Sequence, residues 1–295
     1  MTTVPARSAR GSPASPRRRS RHSAGTAIAA AAAYALLLEL ETWPKPGLVS
    51  HVDSGSHGDM DAGTFRLSAA AIEPYLGALA EAGAEGCGMG RLRVIGRVAV
   101  AAMLAASGGI YTHRGAIFGL GLLSAAAGAR ADGRIARGMP LGAAVATLWG
   151  ASILDDRIGS LSHGDQARRR YGAGGARLEA ARGFPGVYGI GLPALRRGIR
   201  LLPGDDEAAR VEACFALIAS VEDTNLLHRG GPSGLRFARC AAGEFLADGG
   251  VGQPGWRERA RRVHESFVAR RLSPGGAADL LAMTLFVDAC ESSSL

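Results

Sequence analysis

Lysine and asparagine are almost missing from this chain of 295 residues. Of its 34 basic residues all but one are arginine, the exception being Lys45, and the single asparagine is Asn225. Arginine cannot stand in for a compact ammonium group. Aspartate cannot both donate and accept as an amide does. A composition this hostile to two residue types marks each survivor for a role its substitutes cannot fill; the plainer reading is that some residue has to be rare. Aromatics are also scarce, at 5%. β-branched residues are few beside Ala and Leu, which are strong helix formers. No stretch alternates apolar and polar residues for long between turn signals, which excludes a sheet protein. The cysteines, Cys87, Cys214, Cys240 and Cys290, form no C-x-x-C pair. That excludes a zinc ribbon and a disulfide framework, and reduced thiols in a cytosol are expected.

Acids are absent from the first 22 residues, which hold Arg7, Arg10, Arg17, Arg18, Arg19 and Arg21. The net charge of +8 therefore belongs to one end: apart from those six, 28 basic residues face 26 acidic ones. A nucleic-acid-binding face is excluded on that distribution. Residues 1–23, rich in Ser, Pro and Arg, read as a disordered tail. The arginine cluster and the Ala/Leu run that follows imitate a twin-arginine signal. No small-residue cleavage site follows, because Glu39 and Glu41 arrive instead. The run is also too short for a membrane span. Positions 24 to 40 read as the first buried helix, and 24–295 as a single all-α domain of about ten or more helices with Gly-rich connections.

The helical spacing of apolar residues, punctuated by Gly and Pro, predicts segments at about 24–42, 61–82, 91–107, 115–128, 140–153, 164–182, 187–200, 205–221, 232–247, 255–271 and 276–290. Ser-His-Gly-Asp occurs at 56–59 and 162–165, and His-Arg-Gly at 113–115 and 228–230. That order is compatible with a decayed duplication or with chance in a chain rich in Gly and Arg.

Four strings concentrate chemistry. In Glu41-Thr42-Trp43-Pro44-Lys45-Pro46-Gly47 the prolines end a helix and stiffen the loop around the lysine. A lysine pinned in this way suits phosphate; the alternative is a helix stop with a solvated lysine. In Ser54-Gly55-Ser56-His57-Gly58-Asp59-Met60-Asp61 the two aspartates either share a hard cation or cap the next helix. In Gly108-Gly109-Ile110-Tyr111-Thr112-His113-Arg114-Gly115 the glycines admit a ligand close to a helix start that attracts phosphate. It is not a P-loop, since no Gly-Lys-Ser/Thr follows. The fourth, Glu222-Asp223-Thr224-Asn225 with His228-Arg229-Gly230-Gly231, places Asn225, His228 and Arg229 on one helical face, or is an ordinary polar helix end. His163-Gly164-Asp165 with Arg168, Arg169 and Arg170 reads as a solvated face, and Leu272 to Asp279 as a turn with a helix cap.

Together these strings, with Tyr171-Gly172, Gly175-Ala176-Arg177, Gly183-Phe184-Pro185 and Leu272-Ser273-Pro274-Gly275-Gly276, resemble the triphosphoribosyl-dephospho-CoA synthase family, in the family's order over about 34–290. The resemblance implies an all-α fold, with ATP and 3'-dephospho-CoA as substrates and adenine as a product. The other product is the prosthetic-group precursor of an acyl carrier subunit. The wording from Ser54 to Phe65 is closer to the malonate decarboxylase branch than to the citrate lyase branch. One departure is Tyr111, where the family usually has Asn. The implied chemistry is glycosyl transfer through an oxocarbenium-like transition state. On it, Mg²⁺ would be held by Asp59, Asp61 and Asp223, with Asn225 in support, and Asn225 and His228 would help to bind substrate. Lys45, Arg114 and Arg229 would neutralise phosphates. Glu41 would activate the hydroxyl, and His57 or His113 would protonate adenine. The competing readings are a Mg²⁺-dependent glycohydrolase of ADP-ribose-type bonds and a non-catalytic nucleotide-binding scaffold. A homodimer is compatible with either enzyme.

Overall fold

A computed structural model describes residues 16–155 and 170–292. Among these residues there are eleven α-helices and no strand: α1 Pro16–Leu40, α2 Ala62–Ala84, α3 Met89–Ala106, α4 Arg114–Ala131, α5 Leu141–Leu154, α6 Gly175–Ala181, α7 Leu192–Leu201, α8 Asp206–Ser220, α9 Thr224–Ala247, α10 Trp256–Ala269 and α11 Gly275–Ser292. A π-helical turn at Val187–Gly191 leads into α7, and a short 3₁₀ turn at Gly250–Gly252 follows α9. His163, Asp165, Arg168 and Arg169 lie outside the described residues.

The centre of the bundle is α4, buried at nearly every position from Ala116 to Ala129. A helix that is apolar all round has to be enclosed, and α1, α2 and α11 enclose it. The approach of α2 is the closest. A Cβ on Gly83 would stand 1.9 Å from the Ala125 carbonyl oxygen, and one on Gly128 would stand 1.9 Å from that of Ala80. Two glycines, one on each helix, thus let the backbones touch.

The first helix departs from expectation. It begins at Pro16, so residues 16–23 are helical and not part of a tail. Proline suits a first helical turn. The charged turn is held by ion pairs that do not require apolar burial: Arg21 grips both oxygens of Asp132 at 2.8 Å, and His22 Nδ1 meets Glu81 at 2.7 Å. Ser20–Leu40 is long and apolar enough to cross a membrane, but Ala29, Ala32, Ala35, Leu36 and Leu40 are packed into the core. α9 also departs. A helix was expected from 232, and one does begin there, after Gly231, whose φ of 60° and ψ of −164° are not helical; the helical stretch from Thr224 that precedes this break was not expected. Pro232 then opens the second half, where its missing N–H is no loss.

Candidate active site

Lys45 is not where a phosphate ligand would stand. It is fully buried, at 0% exposure, with Nζ 2.6 Å from the Glu39 carbonyl oxygen and 2.5 Å from Glu39 Oε1. The lone lysine therefore ties the Pro-Lys-Pro loop to the last turn of α1. An ammonium that already has two partners and no exposed surface cannot also neutralise a phosphate. From α10, His264 donates Nδ1–H to the Lys45 carbonyl oxygen at 2.6 Å, and its Nε2 lies 3.4 Å from Asp53 Oδ2. Trp43 packs edge-on against His264 at 4.6 Å between centroids. An open groove of about 550 Å³ lies on this side, bounded by Trp43, Asp53, Arg261, His264 and Glu265.

On its other side the Gly-Ser-His loop meets α9 and the segment before α11. Arg229 donates from Nη2 to His57 Nδ1 at 3.2 Å and from Nη1 to the carbonyl oxygens of Ser56 and Arg271. The His57 proton then sits on Nε2, which is 2.8 Å from Ser273 Oγ. Ser56 Oγ donates to the Leu272 carbonyl oxygen at 2.6 Å. Burial, then the Arg229 charge, hold His57 below its ordinary pKa, against the pull of Asp59 at 3.8 Å. Three strings, the first and last of them 216 residues apart, are joined here through side chains.

One helical turn away, Asp223 caps α9 and reaches across to α11. Its Oδ1 accepts the N–H groups of Asn225 at 2.8 Å and Leu226 at 3.2 Å, and its Oδ2 that of Ala277 at 2.9 Å. Burial raises its pKa, and these backbone donors oppose the rise. Asn225 lies against Gly275 so closely that a Cβ there would stand 2.6 Å from its amide nitrogen. Gly175, in the string before α6, comes up against Thr224.

Asp279 completes the junction. It accepts the Ala116 N–H at the start of α4, and its Oδ2 comes so near Gly115 that a Cβ there would be 2.0 Å away. His113, the residue before α4, is buried; its Nδ1 pairs with Ser68 Oγ at 2.7 Å and its Nε2 has no partner. Thr112 donates its hydroxyl to Ser68 at 2.6 Å. Burial, with a further push from Lys45, takes the His113 pKa down to about 3. It is therefore neutral at physiological pH and is not an imidazolium that could protonate a leaving base. Tyr111 is exposed, with the Arg114 guanidinium over its ring at 5.2 Å.

The three-aspartate metal site is not assembled. Among the described residues no group of three or more His, Cys, Asp or Glu side chains is placed to hold a metal ion. Asp61 caps α2, accepting Thr64 N–H at 2.8 Å in a capping box. Asp223 has both oxygens on backbone amides, and Asp59 is exposed beside His57. Glu41 is exposed, 4.0 Å from Arg66, and His228 is exposed on α9. Sequence reasoning missed Glu39, Ser68, Ser273 and Asp279. Glu39 had a signal, as an acid inside an apolar Ala/Leu helix; Ser273 and Asp279 lie in the Leu272 to Asp279 string, which reads as a turn with a helix cap.

The chain is similar in sequence to known proteins. Residues 25–294 match the family described as CitG, ATP:dephospho-CoA triphosphoribosyl transferase. A Pseudomonas putida protein, named probable 2-(5''-triphosphoribosyl)-3'-dephosphocoenzyme-A synthase, is 42% identical over 88% of this chain and 93% of its own length. An Azotobacter vinelandii protein of the same name is 42% identical over 87% and 89%. A Klebsiella pneumoniae 2-(5''-triphosphoribosyl)-3'-dephosphocoenzyme-A synthase is 36% identical over 91% and 92%. No solved structure matches. With its all-α fold and its polar junction built from the motif strings, the chain belongs to the ATP:dephospho-CoA triphosphoribosyl transferase family.

Proposed function

We propose that this chain makes the prosthetic-group precursor for the acyl carrier subunit of malonate decarboxylase, using the junction around His57, Arg229, Asp223 and Asp279 as its active site. The reaction type, triphosphoribosyl transfer to dephospho-CoA, comes with the family. The malonate branch rests on the string from Ser54 to Phe65. The site rests on one observation above the others: the His57–Arg229–Ser273 contact, which ties three distant strings into one surface.

The acceptor hydroxyl of 3'-dephospho-CoA attacks the anomeric carbon of the ATP ribose as the bond to adenine breaks. Charge of oxocarbenium type develops at that carbon, and carboxylates stabilise it best. Asp223 is the carboxylate proposed for this role; burial raises its pKa and its backbone donors oppose the rise. The triphosphate stays intact, so its binding energy orients the ribose. Arg229 and Arg114 meet it, with Asn225 and His228 beside them on α9. Glu41, at the solvent edge, takes the hydroxyl proton. His57, neutral with its proton on Nε2, orients Ser273. The aspartates do not form a preformed Mg²⁺ cage, and no step here passes through a metal. Mg²⁺ brought in with ATP would neutralise phosphate charge, with Asp59 as the exposed carboxylate nearest Arg229 and His57.

A cytoplasmic location is part of this proposal; it would keep the four free cysteines reduced. Mass analysis of a carrier subunit tests the branch. Incubated with this enzyme, ATP, 3'-dephospho-CoA and the cognate attachment enzyme, the malonate decarboxylase carrier should gain the prosthetic group. Loading of a citrate lyase carrier in its place would contradict the assignment.

A further inference from the structure

We infer that Asp279 is the proton donor to the departing adenine, standing where α4, α9 and α11 begin. The inference rests on the transfer reading above. The first ground is geometry. Asp279 lies against Gly115, where no side chain fits, and it holds the Ala116 N–H. Yet it keeps part of its surface open, as do Arg114, Gly115, Asn225 and Gly275 around it. The carboxyl itself is enclosed, and two of those neighbours are glycines, whose missing side chains leave the least cover between it and the surface.

The second ground is the company it keeps. Glu39 from α1 and Asp223 from the start of α9 act on Asp279 as like charges. The loop Lys45 is committed to Glu39, and His113 at the start of α4 is neutral. Asp223 has three backbone N–H groups within 3.2 Å. Asp279 takes one, from Ala116, and no cation is given to it. When carboxylates crowd together, the least supported one keeps its proton. Burial and the two neighbouring acids hold Asp279 well above the usual carboxylate range. Burial raises both carboxyls, and Asp279, with the fewer backbone donors, is the one assigned the proton. His113 Nε2, buried and unpartnered next to Arg114, leaves a further polar atom at this junction for a ligand to satisfy.

The step balances. The bond between the anomeric carbon and the adenine nitrogen breaks, and its electron pair goes to adenine. The Asp279 carboxyl proton moves to the base, which leaves neutral. The acceptor oxygen bonds to the anomeric carbon and gives its own proton to Glu41. Solvent returns a proton to Asp279 and removes one from Glu41.

Asp279→Asn keeps an oxygen for the Ala116 N–H but cannot give up an acid proton. With ATP and 3'-dephospho-CoA its kcat should fall by about 10²–10⁴-fold, the range for general acid catalysis, with KM for ATP little changed. The alkaline limb of the wild-type pH–rate profile should disappear. With a ribose triphosphate that carries nitrophenol in place of adenine, a leaving group that needs no proton, the variant should match wild type. Unchanged turnover with ATP, or an equal loss with both donors, would overturn the assignment, the second result marking a purely structural carboxylate. If wild type releases adenine without any need for dephospho-CoA, the transfer reading fails, and the same two-donor comparison still decides the role of Asp279.

Discussion

At the scale of single residues, the rarest side chain does a job different from the one its rarity suggested. Lys45 neutralises a buried acid within the protein. Lys45→Met would leave Glu39 buried and unpaired, with an expected loss of ~3–5 kcal/mol in urea unfolding. Lys45→Arg keeps the charge but has to fit a larger head into a filled space, at a cost of ~1–3 kcal/mol. In the folded fraction of Lys45→Arg, KM for ATP should stay at the wild-type value, and a tenfold rise would restore the phosphate role. Two titrations belong here as well. The His113 pKa is about 3 in the fold and about 6.5 when unfolded. The unfolded chain therefore binds more protons between those values. The stabilising contribution is complete above pH 6.5 and is lost as the pH falls towards 3, up to ~5 kcal/mol from this one group. The urea midpoint should drop steeply through that window in wild type and less steeply in His113→Asn. Asp279 has the opposite sign. Its raised pKa costs stability once the pH passes the unfolded value of about 3.9. Asp279→Asn should therefore melt above wild type at pH 7, and the gain should vanish below about pH 4. A lower melting temperature at pH 7 would contradict the buried, protonated carboxyl.

At the scale of elements, the helices were legible because the composition leaves little else and Gly and Pro mark their ends. The body helices α2 to α5 lie within a few residues of their expected bounds. The misses have physical causes. The first turns carry no apolar stripe, and the pairing of Arg21 with Asp132 and of His22 with Glu81 shows what holds that end of α1. Gly230-Gly231-Pro232 reads as a stop, and Gly231 does break the helix there; the helical stretch from Thr224 to that break is what the spacing did not show. The bend sets Arg229 towards His57. Gly231→Ala would strain that φ by ~1–3 kcal/mol, and we expect weaker ATP binding with little loss of secondary structure, read by circular dichroism and KM. The site was legible as a set of strings but not as a constellation. His57, Arg229, Asn225 and Arg114 were each visible. Their distribution was not, because Asp61 capping α2 and Asp59 beside His57 are the same pattern on paper. The burial of Lys45 and the like charges around Asp279 exist only once α1, α4, α9 and α11 are packed together.

At the scale of the whole molecule, α4 is the axle and its N-terminus faces the polar junction. Its close approach to α2 depends on Gly83 and Gly128. Gly128→Ala has to drive a methyl group into the Ala80 carbonyl, a clash that a rigid backbone can relieve only by separating the helices. The central claim is that this junction moves a triphosphoribosyl group. The most direct test incubates the purified protein with ATP, Mg²⁺ and 3'-dephospho-CoA, follows free adenine by chromatography and weighs the nucleotide products. Adenine release that depends on dephospho-CoA and matches, mole for mole, a triphosphoribosyl adduct is the predicted result. Adenine formed without an adduct, or folded protein that forms none, would contradict it.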